Sequence, residues 1–165
     1  MPYSYSLFKE EVEQHLLSVV NKDCKVLDVG PGSGTYGRML KSRCNLYAVE
    51  IHEPYIHEFN LRDIYDNVYI DNICKFDIHP YDYLILGDVL EHLTLEDALP
   101  LIDKINASGK RCLVAVPYLY EQGEEYGNIY ETHHQPDLTQ DKMARRYPSL
   151  KLLYGDDKYG YYVNY

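Results

Sequence analysis

A glycine-rich stretch near the amino end of the chain has the residue types of a ligand-binding loop. Residues 28–34 read DVGPGSG and follow a short apolar run. Glycines leave the backbone N–H groups of a turn open to a ligand, and such a turn between a strand and a helix often binds nucleotide-like molecules. Two acids, Glu50 and Asp71, end later apolar runs. A carboxylate there can accept hydrogen bonds from the two hydroxyls of a ribose.

A second group of residues carries side chains that can move protons. Asp88, Glu91 and His92 stand at positions i, i+3 and i+4, which share one face if this segment is helical. His133 and His134 follow in a long aperiodic segment. The candidates for a general base are His92, His133, His134 and Glu91. The alternative is that the histidine pair lies on a surface loop and that His92 is a buried residue at a helix start.

The glycine stretch can be interpreted in two registers. From Gly32 to Gly37 it matches G-x-G-x-x-G, and Glu50 lies near the distance at which dinucleotide-binding enzymes place their ribose acid. From Asp28 to Gly34 it matches D-x-G-x-G-x-G. In this second register the chain resembles class I S-adenosylmethionine-dependent methyltransferases, and the resemblance extends over roughly residues 23–117.

The resemblance implies a role for each of four motifs. In that family the glycine loop lies against the methionine part of the cofactor, and the counterpart of Asp28 helps to hold the loop and its ligand. Glu50 would take both ribose hydroxyls, and Asp71 with Asn72 would mark the adenine pocket. Residues 83–93 resemble the segment beside the sulfonium and the acceptor. The predicted cofactor-binding residues are Asp28, Gly30, Pro31, Gly32, Ser33, Gly34, Glu50, Ile51, Asp71, Asn72, Gly87 and Asp88.

The proton-moving group also resembles a metal site. The 2'-O-methyltransferases that finish small RNAs carry an E-x-x-E-H motif and a distal histidine, to which Asp88, Glu91, His92 and His133 would correspond. A divalent ion there could lower the pKa of an acceptor hydroxyl. The same E-H-L string occurs in metal-free relatives, and an acidic surface disfavours RNA. A divalent metal is therefore a candidate cofactor but is not expected.

Alternating strands and helices must position these residues. The predicted strands are 25–29, 45–50, 68–71, 83–86, 111–116, 150–154 and 161–163, and the predicted helices are 7–20, 36–41, 54–59, 95–107 and 139–147. Ser6 and Thr94 are placed to cap two of the helices. The order predicts an α/β fold with a mostly parallel, Rossmann-like sheet flanked by helices and an antiparallel strand at the C-terminal edge. Ligands of such sheets bind beyond the carboxyl ends of the strands.

Length and composition limit the classes of function. The length of 165 residues predicts a single domain, 1–165. The net charge of -10 disfavours a nucleic-acid partner. No apolar run is long enough for a membrane span, and the first six residues show no secretion signal, so a cytoplasmic location is expected. The four cysteines lack the spacing of a zinc site and are expected to be reduced. The aperiodic segment 118–138 is predicted to be a lid over the substrate.

These observations favour a methyltransferase that uses S-adenosylmethionine to methylate an oxygen or nitrogen atom of a small molecule. Three alternatives stay open. The first is a catalytically degenerate sensor or scaffold subunit that binds the cofactor or its demethylated product. The second is a metal-assisted 2'-O-methyltransferase of RNA ends. The third is a nicotinamide-binding fragment, although the chain lacks a second mononucleotide half.

Overall fold

A seven-stranded sheet organises the protein. The computed structural model describes residues 5–165. The prediction of no secretion signal rests partly on residues 1–4, which lie outside the described residues. The strands are β1 (Lys25–Val29), β2 (Asn45–Glu50), β3 (Asn67–Ile70), β4 (Tyr83–Gly87), β5 (Arg111–Pro117), β6 (Lys151–Gly155) and β7 (Tyr159–Val163). The helices are α1 (Lys9–Val19), α2 (Thr35–Leu40), α3 (Glu53–Glu58), α4 (Leu95–Ala107) and α5 (Gln140–Arg146), and short 3-10 helices span Leu61–Asp63, Leu90–His92 and Ile129–Glu131.

The strand order confirms the predicted fold class. Across the sheet the order is β3-β2-β1-β4-β5-β7-β6. The first five strands pair in parallel, whereas β7 is antiparallel to both β5 and β6. The carboxyl ends of β1, β2 and β4 therefore meet at one edge, where the order reverses and ligands of open α/β sheets bind.

Helices cover both faces because the central strands are apolar on both sides. In β4, Leu84 and Leu86 pack with α4 and α5 on one face, and Tyr83 and Ile85 pack with α1, α2 and α3 on the other. All four side chains are fully buried. This two-sided core fixes the strand ends from which the candidate site is built. No helix within residues 5–165 has both the length and the apolar character of a membrane span.

Two predicted helix starts have different outcomes. The Thr94 hydroxyl accepts a hydrogen bond from the backbone N–H of Asp97 at 3.3 Å, which confirms it as the cap of α4. The prediction for Ser6 is wrong, because α1 begins at Lys9 and Phe8 occupies the cap position with φ of 61° and no side-chain hydrogen bond. The Phe8 ring stacks on Tyr154 at 6.2 Å, so packing against the last hairpin sets this helix start.

Candidate functional site

The glycine loop between β1 and α2 bends through backbone conformations that favour glycine. Gly30 and Gly32 have φ of 56° and 50°, and the N–H of Gly30 donates to the carbonyl of Val49 at 2.9 Å. A Cβ at Gly34 would lie 2.7 Å from the Ile64 side chain, so the loop also passes too close to its neighbour for any larger residue. The loop is thus held against the end of β2.

Asp28 supports this loop from inside the protein. Its side chain is 1% exposed, and its Oδ2 accepts a hydrogen bond of 2.5 Å from the Tyr65 hydroxyl. Burial raises the pKa of Asp28 to about 7, against the hydrogen bonds from Tyr65 and from the backbone of Gly37. Asp28 therefore links the loop to the segment before β3 and does not reach the cavity described next.

A cavity of about 270 Å³ opens at the carboxyl ends of the parallel strands. The predicted site residues that line it are Gly30, Pro31, Gly32, Glu50, Ile51, Asp71, Asn72, Gly87, Asp88, His92 and His134. The predicted site residues that do not line it are Asp28, Ser33, Gly34, Glu91 and His133. One cavity thus collects residues from all four sequence motifs.

Glu50 ends β2 as a buried carboxyl group at the cavity wall. It is 4% exposed, and its Oε1 accepts a hydrogen bond from the N–H of His52 at 2.8 Å. Burial raises its pKa to about 7, although backbone hydrogen bonds from His52, Gly32 and Ile51 act in the opposite direction. An apolar setting and fixed backbone donors hold this carboxyl in one orientation.

The residues after β3 form a polar turn on the cavity wall next to Glu50. Asp71 Oδ1 accepts from the N–H of Asn72 at 2.7 Å, and Asn72 Oδ1 accepts from the N–H of Cys74 at 2.9 Å. The Asp71 N–H in turn donates to the carbonyl of Glu50 at 3.2 Å. The turn leaves Asp71 and Asn72 beside the apolar side chain of Ile73 on the cavity wall.

Asp88 lies at the end of β4 and turns toward the C-terminal hairpin. Its φ is 56°, and its Oδ1 accepts a hydrogen bond of 2.5 Å from the Tyr159 hydroxyl. The preceding Gly87 allows the Tyr36 ring to approach, because a Cβ at Gly87 would lie 2.1 Å from that ring. Asp88 and Tyr36 both line the cavity.

Three of the four candidate metal ligands lie together, and Asp88 is not among them. One ligand atom each from Glu91, His92 and His133 lies within 4.8 Å of the other two. The imidazole rings of His92 and His133 are 4.6 Å apart at 78°. Glu91 is 1% exposed, and neither of its carboxyl oxygens has a hydrogen-bond partner among the described residues. Such a group can hold an ion or handle a proton.

Backbone carbonyls orient the two imidazoles of this group. His92 Nδ1 lies 3.3 Å from the carbonyl oxygen of Thr132, and His133 Nδ1 lies 2.8 Å from that of Tyr120. Burial, followed by the neighbouring His133, lowers the pKa of His92 to about 4, and burial also lowers the pKa of His133. Burial and the charge of Asp88 hold the pKa of Glu91 well above its ordinary value.

Sequence reasoning missed several residues of the cavity wall. Asn128, Tyr130 and Glu131 line it from the segment 118–138, which carries no periodic pattern that could have singled them out. Tyr55 lines it from α3, where its helical spacing indicated only a core residue. The Tyr55 hydroxyl donates to Glu131 Oε1 at 2.8 Å, so these two residues join the segment to the helix.

Solved structures of low sequence identity share this architecture, whereas no family model and no curated protein matches the chain. The PH0226 protein from Pyrococcus horikoshii OT3 superposes with a TM-score of 0.69 at 13% identity, covering 93% of this chain and 87% of its own. An S-adenosylmethionine-dependent methyltransferase from Clostridium acetobutylicum ATCC 824 superposes with a TM-score of 0.66 at 12% sequence identity. The alignment covers 93% of this chain and 87% of the other. Magnesium protoporphyrin IX methyltransferase from Synechocystis PCC 6803, with bound S-adenosylmethionine, superposes with a TM-score of 0.65 at 15% sequence identity. The alignment covers 94% of this chain and 77% of the other. The chain therefore has the fold of class I, Rossmann-like S-adenosylmethionine-dependent methyltransferases.

Proposed function

We propose that this protein transfers a methyl group from S-adenosylmethionine to an oxygen or nitrogen atom of a small molecule. The observation that carries the proposal is the buried carboxyl of Glu50, which faces the same cavity as the glycine loop. A carboxylate fixed beside open backbone donors suits a ligand that combines a ribose with an amino-acid tail.

The residues present fit this cofactor. Glu50 would accept hydrogen bonds from the ribose hydroxyls, and Asp71 and Asn72 would lie at the adenine with Ile51 and Ile73 as its apolar wall. The glycine loop would contact the methionine portion. When bound, the cofactor supplies an electrophilic methyl group on a sulfonium, so the protein has mainly to align the acceptor, exclude water and remove a proton.

His92 is the proposed general base, because it alone of the buried Glu91–His92–His133 group lines the cavity. With its Nδ1 at the Thr132 carbonyl, its Nε2 is left as the proton acceptor. His133 packs edge-on against His92 and would orient it, and the buried Glu91 carboxyl has an oxygen within 4.8 Å of a ring nitrogen of each. The acceptor proton would therefore move to Nε2 of His92.

The segment 118–138 is proposed to cover the acceptor, because Asn128, Tyr130 and His134 line the same cavity as His92. Within the described part of the chain, the side chains that line the cavity include no lysine or arginine but five acids, Glu50, Asp71, Asp88, Asp97 and Glu131. These acids would repel a phosphorylated acceptor, so a neutral or cationic small molecule is the better match.

We also propose that the protein acts in the cytoplasm. All four cysteines are free, which suits a reducing compartment. The metal-assisted alternative remains a candidate only through the Glu91–His92–His133 group, and the acidic chain, with a net charge of -10, gives no reason to prefer RNA.

Binding measurements test the cofactor assignment before any acceptor is known. S-adenosylmethionine and S-adenosylhomocysteine should raise the melting temperature, whereas NAD should not, and a larger shift with NAD would overturn the proposal. Glu50→Gln should weaken S-adenosylhomocysteine binding by about 10-fold or more, because a hydrogen bond to a charged group is lost. The exposed neighbour Glu53 provides the matched control, Glu53→Gln, which should bind normally.

A screen of metabolites for transfer of a labelled methyl group then separates an enzyme from a sensor. Incorporation into a neutral or amine-bearing compound is the expected result. If the protein binds the cofactor tightly but transfers the methyl group neither to any compound of the screen nor to water, the sensor or scaffold alternative is favoured.

A further inference from the structure

Lys9, in the first turn of α1, is an ammonium group held in the protein without a carboxylate contact. Its Nζ donates to the Tyr36 hydroxyl at 3.2 Å and lies 4.5 Å from the centre of the Tyr36 ring and 5.4 Å from that of Tyr161. Within residues 5–165 the ion pairs closer than 4.0 Å are His79–Asp77, Lys142–Asp137 and Arg146–Asp137, and Lys9 takes part in none.

The surroundings of Lys9 disfavour the charged form of its side chain, because they remove the ammonium group from water. Burial lowers the pKa of Lys9 to about 8, and the attraction of Asp88 and Asp28 does not fully offset this effect. Lys9 is half-buried, and charged groups that are withdrawn from water are usually paired with an opposite charge, so this ammonium is suited to an anionic ligand.

Lys9 also lies next to the cavity at the end where an anion is needed. Tyr36, which it contacts, and Asp88, which attracts it, both line the cavity beside the glycine loop. Among residues 5–165, no lysine or arginine lines the cavity itself. The amino-acid tail of the proposed cofactor carries an α-carboxylate, and the described cavity wall otherwise presents the acids Asp88 and Glu50 to that group.

We propose that Lys9 binds the α-carboxylate of the cofactor's methionine portion, with the Tyr36 hydroxyl beside it. The inference rests on the proposed function. The flexible stem of lysine allows the ammonium to turn from the Tyr36 hydroxyl to the carboxylate at the cavity wall. Helix α1 then belongs to the cofactor site and is more than a cover for the sheet.

Arg38 is also a cation near the glycine loop, and its position differs from that of Lys9. Arg38 is exposed, and its guanidinium donates to the Ser33 carbonyl at 3.4 Å. Neither Arg38 nor Ser33 lines the cavity. Arg38, four residues after Gly34, therefore serves as a control cation that lies near the loop in sequence but does not line the cavity.

The test compares two ligands that differ in the amino-acid tail. S-adenosylhomocysteine carries the carboxylate, whereas 5'-methylthioadenosine lacks the whole tail. Calorimetric titration of both into wild type, Lys9→Met, Lys9→Arg and Arg38→Met should show about 10-fold weaker S-adenosylhomocysteine binding for Lys9→Met alone. Binding of 5'-methylthioadenosine should stay within about twofold in all four proteins, because it has no group for Lys9 to bind.

The outcomes separate this inference from the proposed function. If wild type binds neither nucleoside, the proposed function fails. If wild type binds both and Lys9→Met weakens them equally, or weakens neither, Lys9 is only a structural cation and the inference fails. Should Lys9→Met not fold, the wild-type protein and Lys9→Arg are titrated with the α-carboxamide of S-adenosylhomocysteine. Binding as tight as that of the acid would overturn the inference, and binding about 10-fold weaker would support it.

Discussion

The hydroxyl of Tyr55 in α3 donates a hydrogen bond of 2.8 Å to the carboxyl of Glu131, 76 positions later in the chain. Gln122 adds a second contact, since its Nε2 donates to Glu131 Oε2 at 3.1 Å. Through these bonds, the segment 118–138 is attached to α3 at the cavity, which both Tyr55 and Glu131 line.

Removing the Tyr55 hydroxyl should loosen the segment 118–138. Tyr55→Phe keeps the ring but leaves the buried Glu131 carboxyl with one partner fewer, which should cost about 1–2 kcal/mol of unfolding free energy. Hydrogen exchange of backbone amides in 118–138 should become faster than in wild type. Tyr126→Phe, at a 63% exposed tyrosine of the same segment, should leave exchange unchanged. Equal protection in Tyr55→Phe and wild type would show that the bond does not hold the segment.

The unliganded protein should lose stability as pH rises toward 8. Burial raises the folded-state pKa of Asp28 and of Glu50 to about 7, above the values of an unfolded chain, so the folded state binds more protons between about pH 4 and 7. The stabilisation is complete below about pH 4 and is lost as pH rises through 7. Glu50 alone accounts for on the order of 3 kcal/mol of this loss.

Urea unfolding of wild type and Glu50→Gln from pH 5 to 8.5 checks this linkage. The glutamine variant should show a flatter dependence of unfolding free energy on pH, since its amide does not titrate. Parallel curves for the two proteins would mean that Glu50 ionises as freely in the folded state as in the unfolded chain.

His92 should matter for turnover more than for cofactor binding. Once an acceptor is known, His92→Gln should lower kcat by about 100-fold or more while S-adenosylhomocysteine affinity changes little. His134→Gln, at an exposed histidine on the same cavity wall, provides the comparison and should lower kcat less than about threefold. If His134→Gln has the larger effect, the base is assigned to the wrong imidazole.

A chelator should leave turnover intact. Glu91, His92 and His133 lie close enough to share an ion, but Asp88 turns away to Tyr159, and burial favours the neutral form of Glu91. Dialysis against EDTA, with metal content measured by mass spectrometry, should give the same kcat before and after. Loss of activity that Mn²⁺, Co²⁺ or Zn²⁺ restores would instead establish a metal-assisted enzyme.

Sequence periodicity was enough to predict the sheet because its central strands are continuous apolar runs. It predicted β1 and α4 with their observed bounds and placed the acid of β2 at the ligand edge. It could not predict that Asp88 bonds to Tyr159, because that contact joins residues 71 positions apart. It also missed Tyr55 and Glu131, which only the folded chain brings together.

The position of β7 between β5 and β6 has a consequence for biosynthesis. β6 leaves the ribosome before β7 but pairs with no other strand, so it must wait for its partner. Until then the edge of β5 is open and can pair with a strand of another chain. Tyr159, the partner of Asp88, arrives with that same strand. A nascent chain that stalls before residue 159 would therefore be both prone to aggregation and without a complete cavity wall.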